Sequence, residues 1–256
     1  MSEQPYQHPA FPQPDDPHAV IWRYMDLAKF TDLVSRRHLY MARADRLGDE
    51  HEGTTPTAEL EYWRLLAEQA GTEEERRNIQ GQREQLSEFA RDFRPTYYVS
   101  CWHMAPDENI AMWDRYVQSK DAVAIRSTFS TLRSQLDPTV IEVGVVRYLD
   151  YSTHRLPSLN IMQLIMHKRH FYLDEREVRA VLWSAAPDFI RRDHVDPFLT
   201  ADRAAFLAPI NPQTLIHGIV LHPKATGEAT AHLSELCAAH SLPKPTASRI
   251  SSKPEF

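Results

Sequence analysis

The sequence predicts an α+β fold in which a mixed, largely antiparallel central sheet, continuous or split, is flanked by helices. Short apolar runs and amphipathic segments alternate in an irregular order, and no internal repeat imposes a regular βαβ series. A charge-rich stretch near 57–94 has helical composition and predicts a helical insertion. With 256 residues, 42% of them hydrophobic and 25% charged, the chain can bury a full core. We predict one α+β domain over 19–250.

Two segments are predicted to lie outside that domain, at 1–18 and 251–256. The first contains Pro5, Pro9, Pro12, Pro14 and Pro17. Its few apolar side chains cannot offset the entropy lost on ordering, so we predict a disordered Pro-rich arm. The C-terminal segment follows further prolines among Ser and Lys and predicts a flexible tail.

The first elements are predicted from two apolar runs that enclose an amphipathic segment. Residues 20–24 and 38–42 are rich in apolar and aromatic side chains and predict strands. Between them Leu27, Phe30 and Val34 recur at helical spacing and predict a helix with one buried face. The order strand, helix, strand therefore opens the domain.

The helical insertion is predicted from composition and from a capping signal. Residues 57–94 are rich in Glu, Arg, Gln and Leu, with a break at 70–72, and predict a helical hairpin or two sequential helices. Thr72 followed by Glu75 is typical of a capping box at the start of the second helix. The charge-dense surface is interpreted as a solvated face.

The rest of the domain continues the same irregular alternation. Further strands are predicted at 97–102, 122–126, 140–148, 178–183 and 215–221. Further helices are predicted at 108–118, 130–136, 159–172 and 225–240. This order favours a largely antiparallel sheet over a regular parallel series.

Net charge and cysteine content limit the classes of protein to which this chain can belong. A formal charge of -6 disfavours non-specific coating of nucleic acid or of anionic membranes, which needs a basic excess. Cys101 and Cys237 lack CxxC spacing, which predicts a reducing compartment and no disulfide partner. No run approaches the roughly 20 apolar residues of a membrane helix, and no secretory signal is recognised. We therefore predict a cytoplasmic protein without a membrane partner.

An ordered set of short motifs carries a family resemblance. Along the chain these are Trp22-Arg23-Tyr24, Arg43-Ala44-Asp45-Arg46-Leu47, Ser100-Cys101-Trp102-His103, Ala111-Met112-Trp113-Asp114-Arg115-Tyr116, Glu175-Arg176-Glu177-Val178-Arg179 and Gly218-Ile219-Val220-Leu221-His222-Pro223. With them the chain resembles the bacterial domain-of-unknown-function family numbered 2971, over about residues 20 to 250. One loop departs from the family, since Gly48-Asp49-Glu50-His51-Glu52 stands where the family more often has Asn-Asp-Pro-Phe-Glu. The resemblance implies no settled activity.

A charged run that precedes a late predicted strand is the part of the sequence most typical of a functional site. If the strand continues the run, residues two apart point the same way, so Glu175, Glu177 and Arg179 share a face. Paired carboxylates beside cations can act as general acid or base, bind ribose hydroxyls or hold a divalent ion. The alternative interpretation is a structural ion-pair ladder to Lys168 and Arg147.

A second resemblance concerns enzyme chemistry. An arginine on an early strand, a serine on a middle strand and Glu-x-Glu before a late strand are similar to the ADP-ribosyltransferases of the Arg-Ser-Glu type. The matching positions are Arg23, Ser100, Glu175 and Glu177. The resemblance implies that Arg23 and Ser100 hold NAD as the substrate. It implies that Glu177 is the catalytic acid that stabilises oxocarbenium character, while Glu175 serves the acceptor.

Further residues complete the implied NAD site. Tyr98 or Trp102 would stack on the nicotinamide, and Lys168 would supply a second cation. Such a site needs no phosphate-binding glycine loop, which suits a chain whose seven glycines match neither GxGxxG nor the P-loop pattern. The implied ligand is a small nucleotide, and the acceptor, protein or nucleic acid, stays open.

Two other classes of function compete with this hypothesis. Asp45, Asp49 and Glu52, together with Glu175 and Glu177, could collect around Mg²⁺ in a metal-dependent phosphodiesterase or nuclease. The same loop acids could instead bond backbone amides. A non-catalytic interaction module, in which the Pro-rich arm recruits a partner, is the third class.

Histidine and cysteine patterns give little support for other chemistry. His167 and His170 form an HxxH pair without a recognisable third ligand, which is poor evidence for zinc. The remaining histidines, His103 among them, are interpreted as hydrogen-bonded or facing solvent. Cys101 on a central strand is predicted to be unreactive.

Overall fold

A computed structural model describes residues 8–158, 160–184 and 204–251 of the chain. It confirms the α+β class, because an eight-stranded sheet with antiparallel pairing is flanked by helices. A separate two-stranded parallel sheet accompanies it. None of the helices in these ranges is both long enough and apolar enough to cross a membrane.

Most strands coincide with the predicted apolar runs. They are β1 Val20–Asp26, β2 His38–Arg43, β3 Tyr97–Met104, β4 Ala122–Thr128, β5 Ile141–Val145, β6 Arg147–Leu149, β7 His167–Arg169, β8 Glu177–Trp183, β9 Ala205–Pro209 and β10 Gly218–Leu221. The predicted strand over 140–148 is divided into β5 and β6, which pair with different strands. The sequence interpretation missed β9, and the predicted strand over 215–221 begins only at Gly218.

Most helices lie in the predicted places with bounds that differ by a few residues. The helices are α1 Leu27–Arg36, α2 Thr57–Glu68, α3 Glu73–Phe93, α4 Ile110–Tyr116, α5 Phe129–Gln135, α6 Ile161–Met166, α7 Pro212–Leu215 and α8 Gly227–Ala239. Helix α7 was not predicted. The Thr72 hydroxyl accepts the amide of Glu75 at 3.1 Å, so the predicted start of α3 is confirmed. The helical insertion is the α2–α3 pair.

The predicted helix over 159–172 is wrong in its second half. Its apolar start forms α6, but His167–Arg169 is the short strand β7, parallel to β6. A 3-10 helix, His170–Glu175, then leads to β8. The helical pattern fails here because Lys168 is buried against carboxylates that come from distant parts of the chain.

Strand β3 lies at the centre of the sheet and has three partners. One edge pairs with β8 from Tyr97↔Trp183 to His103↔Glu177. On the other edge β1 pairs at the far end, through Trp22↔His103, whereas β2 pairs near the start, through Ala42↔Val99. Among the described strands none pairs with 100–102 on that edge. The sheet therefore forks there, and the split form of the predicted sheet is the one observed.

The two branches of the fork carry the rest of the sheet. One runs from β1 through β4 to β10, and the other runs from β2 to β9. Helix α1 connects β1 to β2 and buries Phe30, Leu33 and Val34, the apolar face predicted for it. Because α1 joins the ends of the two branches, an opening lies between α1 and β3.

The N-terminal segment corrects the prediction of a disordered arm. Within residues 8–18, Phe11 is 1% exposed and Ala10 is also buried. Pro12 accepts the amide of Val145 at 2.8 Å, so this segment runs along β5. A methyl group on Gly144 would lie 2.7 Å from the Phe11 Cα, so glycine permits the close approach. Residues 1–7 and 252–256, the other ends of the predicted arm and tail, lie outside the described ranges.

Candidate functional site

A cleft of about 790 Å³ occupies the opening at the fork. Its walls come from β1, α1, β2, the loop after β2, β3, the end of α4 and the segment before β8. Pockets that take small molecules and cofactors usually measure roughly 300–1,000 Å³. This cleft is therefore large enough for a nucleotide-sized ligand.

Arg23 of β1 spans the fork. Its Nη1 donates to the Ser100 hydroxyl of β3, and its Nη2 donates to the Tyr40 carbonyl of β2 at 2.9 Å. The guanidinium carbon also lies 5.9 Å from the ring centre of Trp102. Burial lowers the pKa of Arg23 to about 10, which leaves the side chain charged at neutral pH. The predicted Arg–Ser pair is therefore in contact, and its arginine lines the cleft.

A buried network of charges lies behind the cleft, with Lys168 at its centre. The Lys168 Nζ is 2.5 Å from Glu175, 3.0 Å from Glu52 and 3.5 Å from Glu177. Burial disfavours the ammonium, but Glu177 and Glu52 together raise the pKa of Lys168 above its usual value. This lysine does not line the cleft, so the structure gives it the role of a counter-ion rather than of a ligand contact.

Both carboxylate oxygens of Glu177 are hydrogen-bonded within the network. Its carboxylate takes the Arg179 Nε at 2.8 Å and the Arg179 Nη2 at 2.9 Å, and Glu177 is only 2% exposed. Burial alone would raise the pKa of Glu177, but Arg179 and Lys168 lower it to about 2. Glu177 does not line the cleft. The residue that the resemblance implies as the catalytic acid is thus placed behind the site.

Glu175 lines the cleft instead. The intervening Arg176 has φ 41 and ψ 53, a left-handed conformation that is uncommon for a non-glycine residue. This turn separates Glu175 from the strand, so the two carboxylates converge on Lys168 without following strand alternation. Arg115 holds the other oxygen of Glu175 at 3.1 Å. Burial outweighs Lys168 and raises the pKa of Glu175.

His103 forms a hydrogen bond, as interpreted from the sequence, but its place at the cleft was not predicted. Its Nδ1 lies 2.6 Å from the Glu175 carbonyl, and it lines the cleft beside Tyr116. Among the described residues no partner reaches its buried Nε2. A single histidine after a strand gives no sequence signal for this position, because the partner and the cleft are formed by residues far away in the chain.

The other predicted site residues take different positions. Trp102 lines the cleft but is 1% exposed, and its Nε1 donates to Ser100 at 3.2 Å. Tyr98 and Ser100 are buried away from the lining, Tyr98 in the apolar core. Burial and Glu177 raise the pKa of Cys101, as expected for an unreactive thiol, and both cysteines are free.

The loop acids of the metal hypothesis do not converge. Asp45 pairs with Arg43 at 2.7 Å, Asp49 pairs with Arg169 at 2.8 Å, and Glu52 belongs to the Lys168 network. Within the described ranges no group of His, Cys, Asp and Glu side chains has the geometry to hold a metal ion. The carboxylates that were predicted to share Mg²⁺ are paired with cationic side chains.

The rim of the cleft carries more positive than negative groups. Lys29 and Arg46 join Arg23 in the lining, and Arg46 is exposed without an ion pair to any described residue. The acids in the lining are Asp32, which pairs with Arg36 and His38, and Glu175, and Lys29 pairs with Asp26 at 3.7 Å. On a protein of net charge -6, Arg23 and Arg46 in the lining favour an anionic ligand.

Comparisons with protein-family models, curated proteins and solved structures found no match to this chain. Both family resemblances therefore stay predictions.

Proposed function

We propose that the chain is an NAD-using enzyme similar to ADP-ribosyltransferases, in which Glu175 acts on the ribose–nicotinamide bond. The observation that carries the proposal is the placement of Glu175. Of the carboxylates in the buried network, it is the one that reaches the cleft, and Arg23 forms part of the same lining. We also propose that the chain belongs to the bacterial domain-of-unknown-function family 2971 and that it works in the cytoplasm.

The chemistry of the lining suits a dinucleotide. Arg23, Lys29 and Arg46 provide positive charge for a diphosphate, and arginine can bind phosphate oxygens in pairs. Trp22 and Tyr40 add aromatic surface to the walls, and such rings can contact a base or the nicotinamide. The ligand contacts come from side chains of strands and a helix, so no glycine-rich loop is required.

Glu175 has the properties of a carboxylate that stabilises a developing cation. Breaking the bond between ribose and nicotinamide leaves positive charge on the sugar, and a carboxylate nearby lowers the energy of that state. Lys168 and Arg115 fix the orientation of Glu175 from behind and from the side. Arg23, held by Ser100 and by Tyr40, is rigid enough to position the phosphates.

The test is turnover of NAD labelled in its adenine, with release of nicotinamide and transfer of label measured separately. We expect activity in the unaltered protein and a loss of about 100-fold or more in Glu175→Gln, as is usual when one electrostatic stabiliser is removed. Asp174→Asn is the matched control, since this exposed acid contacts the same Arg115. No consumption of NAD with water, protein or nucleic acid as acceptor would refute the proposal.

A further inference from the structure

His103 carries a buried acceptor atom without a partner at the wall of the cleft. The residue is 4% exposed, and no described group hydrogen-bonds to its Nε2. An unpaired buried polar atom costs about 1–3 kcal/mol, so natural proteins rarely keep one without a reason. Seven other buried side-chain atoms of the described residues also lack a hydrogen-bond partner, the Nε2 of His167 among them, but none of their residues lines the cleft. The His103 atom is thus the one placed to meet a ligand.

The hydrogen bond on the opposite side of the ring fixes its tautomer. A carbonyl oxygen can only accept, so the Nδ1 of His103 donates to the Glu175 carbonyl at 2.6 Å. Burial lowers the pKa of His103, which keeps the ring neutral. In a neutral ring with hydrogen on Nδ1, the Nε2 carries a free lone pair.

The surroundings of the ring are charged on several sides. The groups that face it are Tyr24 from β1, Arg115 from α4, and Asp174, Glu175, Arg176 and Glu177 from the segment that enters β8. The cations Arg115 and Arg176 disfavour a second proton on the ring, while Asp174 favours it. Together with burial they leave the ring as a base of modest strength, suited to work near neutral pH.

We infer that the acceptor in this cleft is a hydroxyl compound, water included, and that the Nε2 of His103 takes its proton. The inference rests on the proposed function. The backbone carbonyl of Glu175 orients His103, and the carboxylate of Glu175 would stabilise the positive charge on the sugar. One residue thus connects the general base with the stabilising carboxylate.

The step balances in atoms and charge. The hydroxyl oxygen forms a bond to the ribose C1′, and the bond from C1′ to the nicotinamide nitrogen breaks with its electron pair leaving on neutral nicotinamide. The hydroxyl proton passes to His103 and then to solvent. An arginine acceptor does not fit, because a guanidinium nitrogen has no free lone pair until it loses its proton, whereas a hydroxyl oxygen can attack first and release its proton to the imidazole as the bond forms. The inference thus predicts transfer to water or to an alcohol.

The test compares His103→Asn with the exposed-residue control His170→Asn. Asparagine keeps a donor near the position of Nδ1 and lacks the Nε2 atom. We expect a loss of about 100-fold or more in kcat in His103→Asn, and the disappearance of the acid limb from its pH–rate profile. His170→Asn keeps both. Mass spectrometry of the products should show free ADP-ribose when water is the acceptor, or a hydroxyl-linked adduct when it is an alcohol.

A measurement on the unaltered protein covers the case in which His103→Asn does not fold. In protein labelled with ¹⁵N-histidine, the Nε2 of His103 should show the nuclear magnetic resonance shift of an unprotonated nitrogen. A protonated Nε2 at neutral pH, full activity in His103→Asn, or transfer to an arginine side chain would each overturn the inference and leave the proposed function standing. Failure of the unaltered protein to consume NAD overturns the proposed function and this step together.

Discussion

At the scale of residues, Glu175 and Glu177 lie two positions apart and have opposite environments. Glu177 begins β8 and points into the network, where Arg179 holds both of its oxygens. Glu175 precedes the left-handed Arg176 and reaches the cleft. The pKa of Glu177 is lowered and that of Glu175 is raised. Two carboxylates whose environments push their pKa values apart are typical of divided roles, one structural and one chemical.

Glu177→Gln tests the structural role of that residue. We expect a loss of about 1.5–3 kcal/mol in the free energy of unfolding, because the buried Arg179 loses its charge-assisted hydrogen bonds to Glu177 and keeps only Glu52 as a carboxylate partner. Urea unfolding followed by circular dichroism measures the change. The exposed Asp174→Asn should stay within about 0.5 kcal/mol of the unaltered protein. Equal stability of the two variants would contradict this account of the network.

At the scale of elements, the fork of the sheet creates the cleft. On the edge opposite β8, β3 pairs with β1 at one end and with β2 at the other. Arg23 bridges the gap between β1 and β2. Each of these strands was predicted from its apolar residues. Whether the sheet is continuous or split stayed open, because strand patterns report which face is buried and carry no information on which strands pair.

A second element, the N-terminal segment, acts as a strap along β5. Gln13 donates to the Val143 carbonyl at 2.8 Å, and Phe11 inserts beside Gly144. Its proline content predicted disorder, since composition alone does not show the pocket that receives Phe11. That pocket is built by distant residues of the chain, from Ala44 and Tyr97 to Val181.

Phe11→Ala tests whether this segment contributes to stability. We expect a loss of about 3–5 kcal/mol, the usual cost of truncating a fully buried phenylalanine. Thermal unfolding and the rate of proteolysis within residues 8–18 measure the effect. Phe171→Ala is the control, because Phe171 is 72% exposed and its truncation should change little. A stable Phe11→Ala variant with an unchanged digestion pattern would show that the segment is dispensable.

At the scale of the whole molecule, the distribution of charged side chains says more about the ligand of the cleft than the net charge does. The net charge of -6 gave no hint of a cationic cleft, yet Arg23, Lys29 and Arg46 meet in its lining. Behind it, the carboxylates of Glu52, Glu175 and Glu177 are balanced by buried cations. The stability of the whole protein therefore depends on pH.

Glu177 and Glu175 make the free energy of unfolding depend on pH in opposite directions. Glu177 has a folded pKa of about 2 against an ordinary value of 4.5, so its contribution is present above pH 4.5 and is lost as the pH falls toward 2. Glu175 has a raised pKa, so its contribution is present at low pH and is lost as the pH rises through that pKa. Glu175→Gln removes the second effect and isolates the first.

We therefore expect the free energy of unfolding of Glu175→Gln to fall between pH 4.5 and pH 2, by up to about 3 kcal/mol from Glu177. Denaturant titrations at a series of pH values measure it. The unaltered protein should show the same fall below pH 4.5 and, in addition, a gain in stability as the pH falls to 4.5 through the raised pKa of Glu175. A free energy independent of pH in the variant would rule out the ion pair of Glu177 as a source of stability.

The sequence by itself determined the α+β class and most strands and helices. These follow from periodicity and propensity, which are local properties of the chain. Tertiary structure alone decided the fork, the placement of Glu175 rather than Glu177 in the cleft, and the free Nε2 of His103. The physical reason is that strand pairing and the balance of buried charge depend on contacts between residues far apart in the chain. The buried Lys168, which meets Glu52 from the distant loop, shows this most directly.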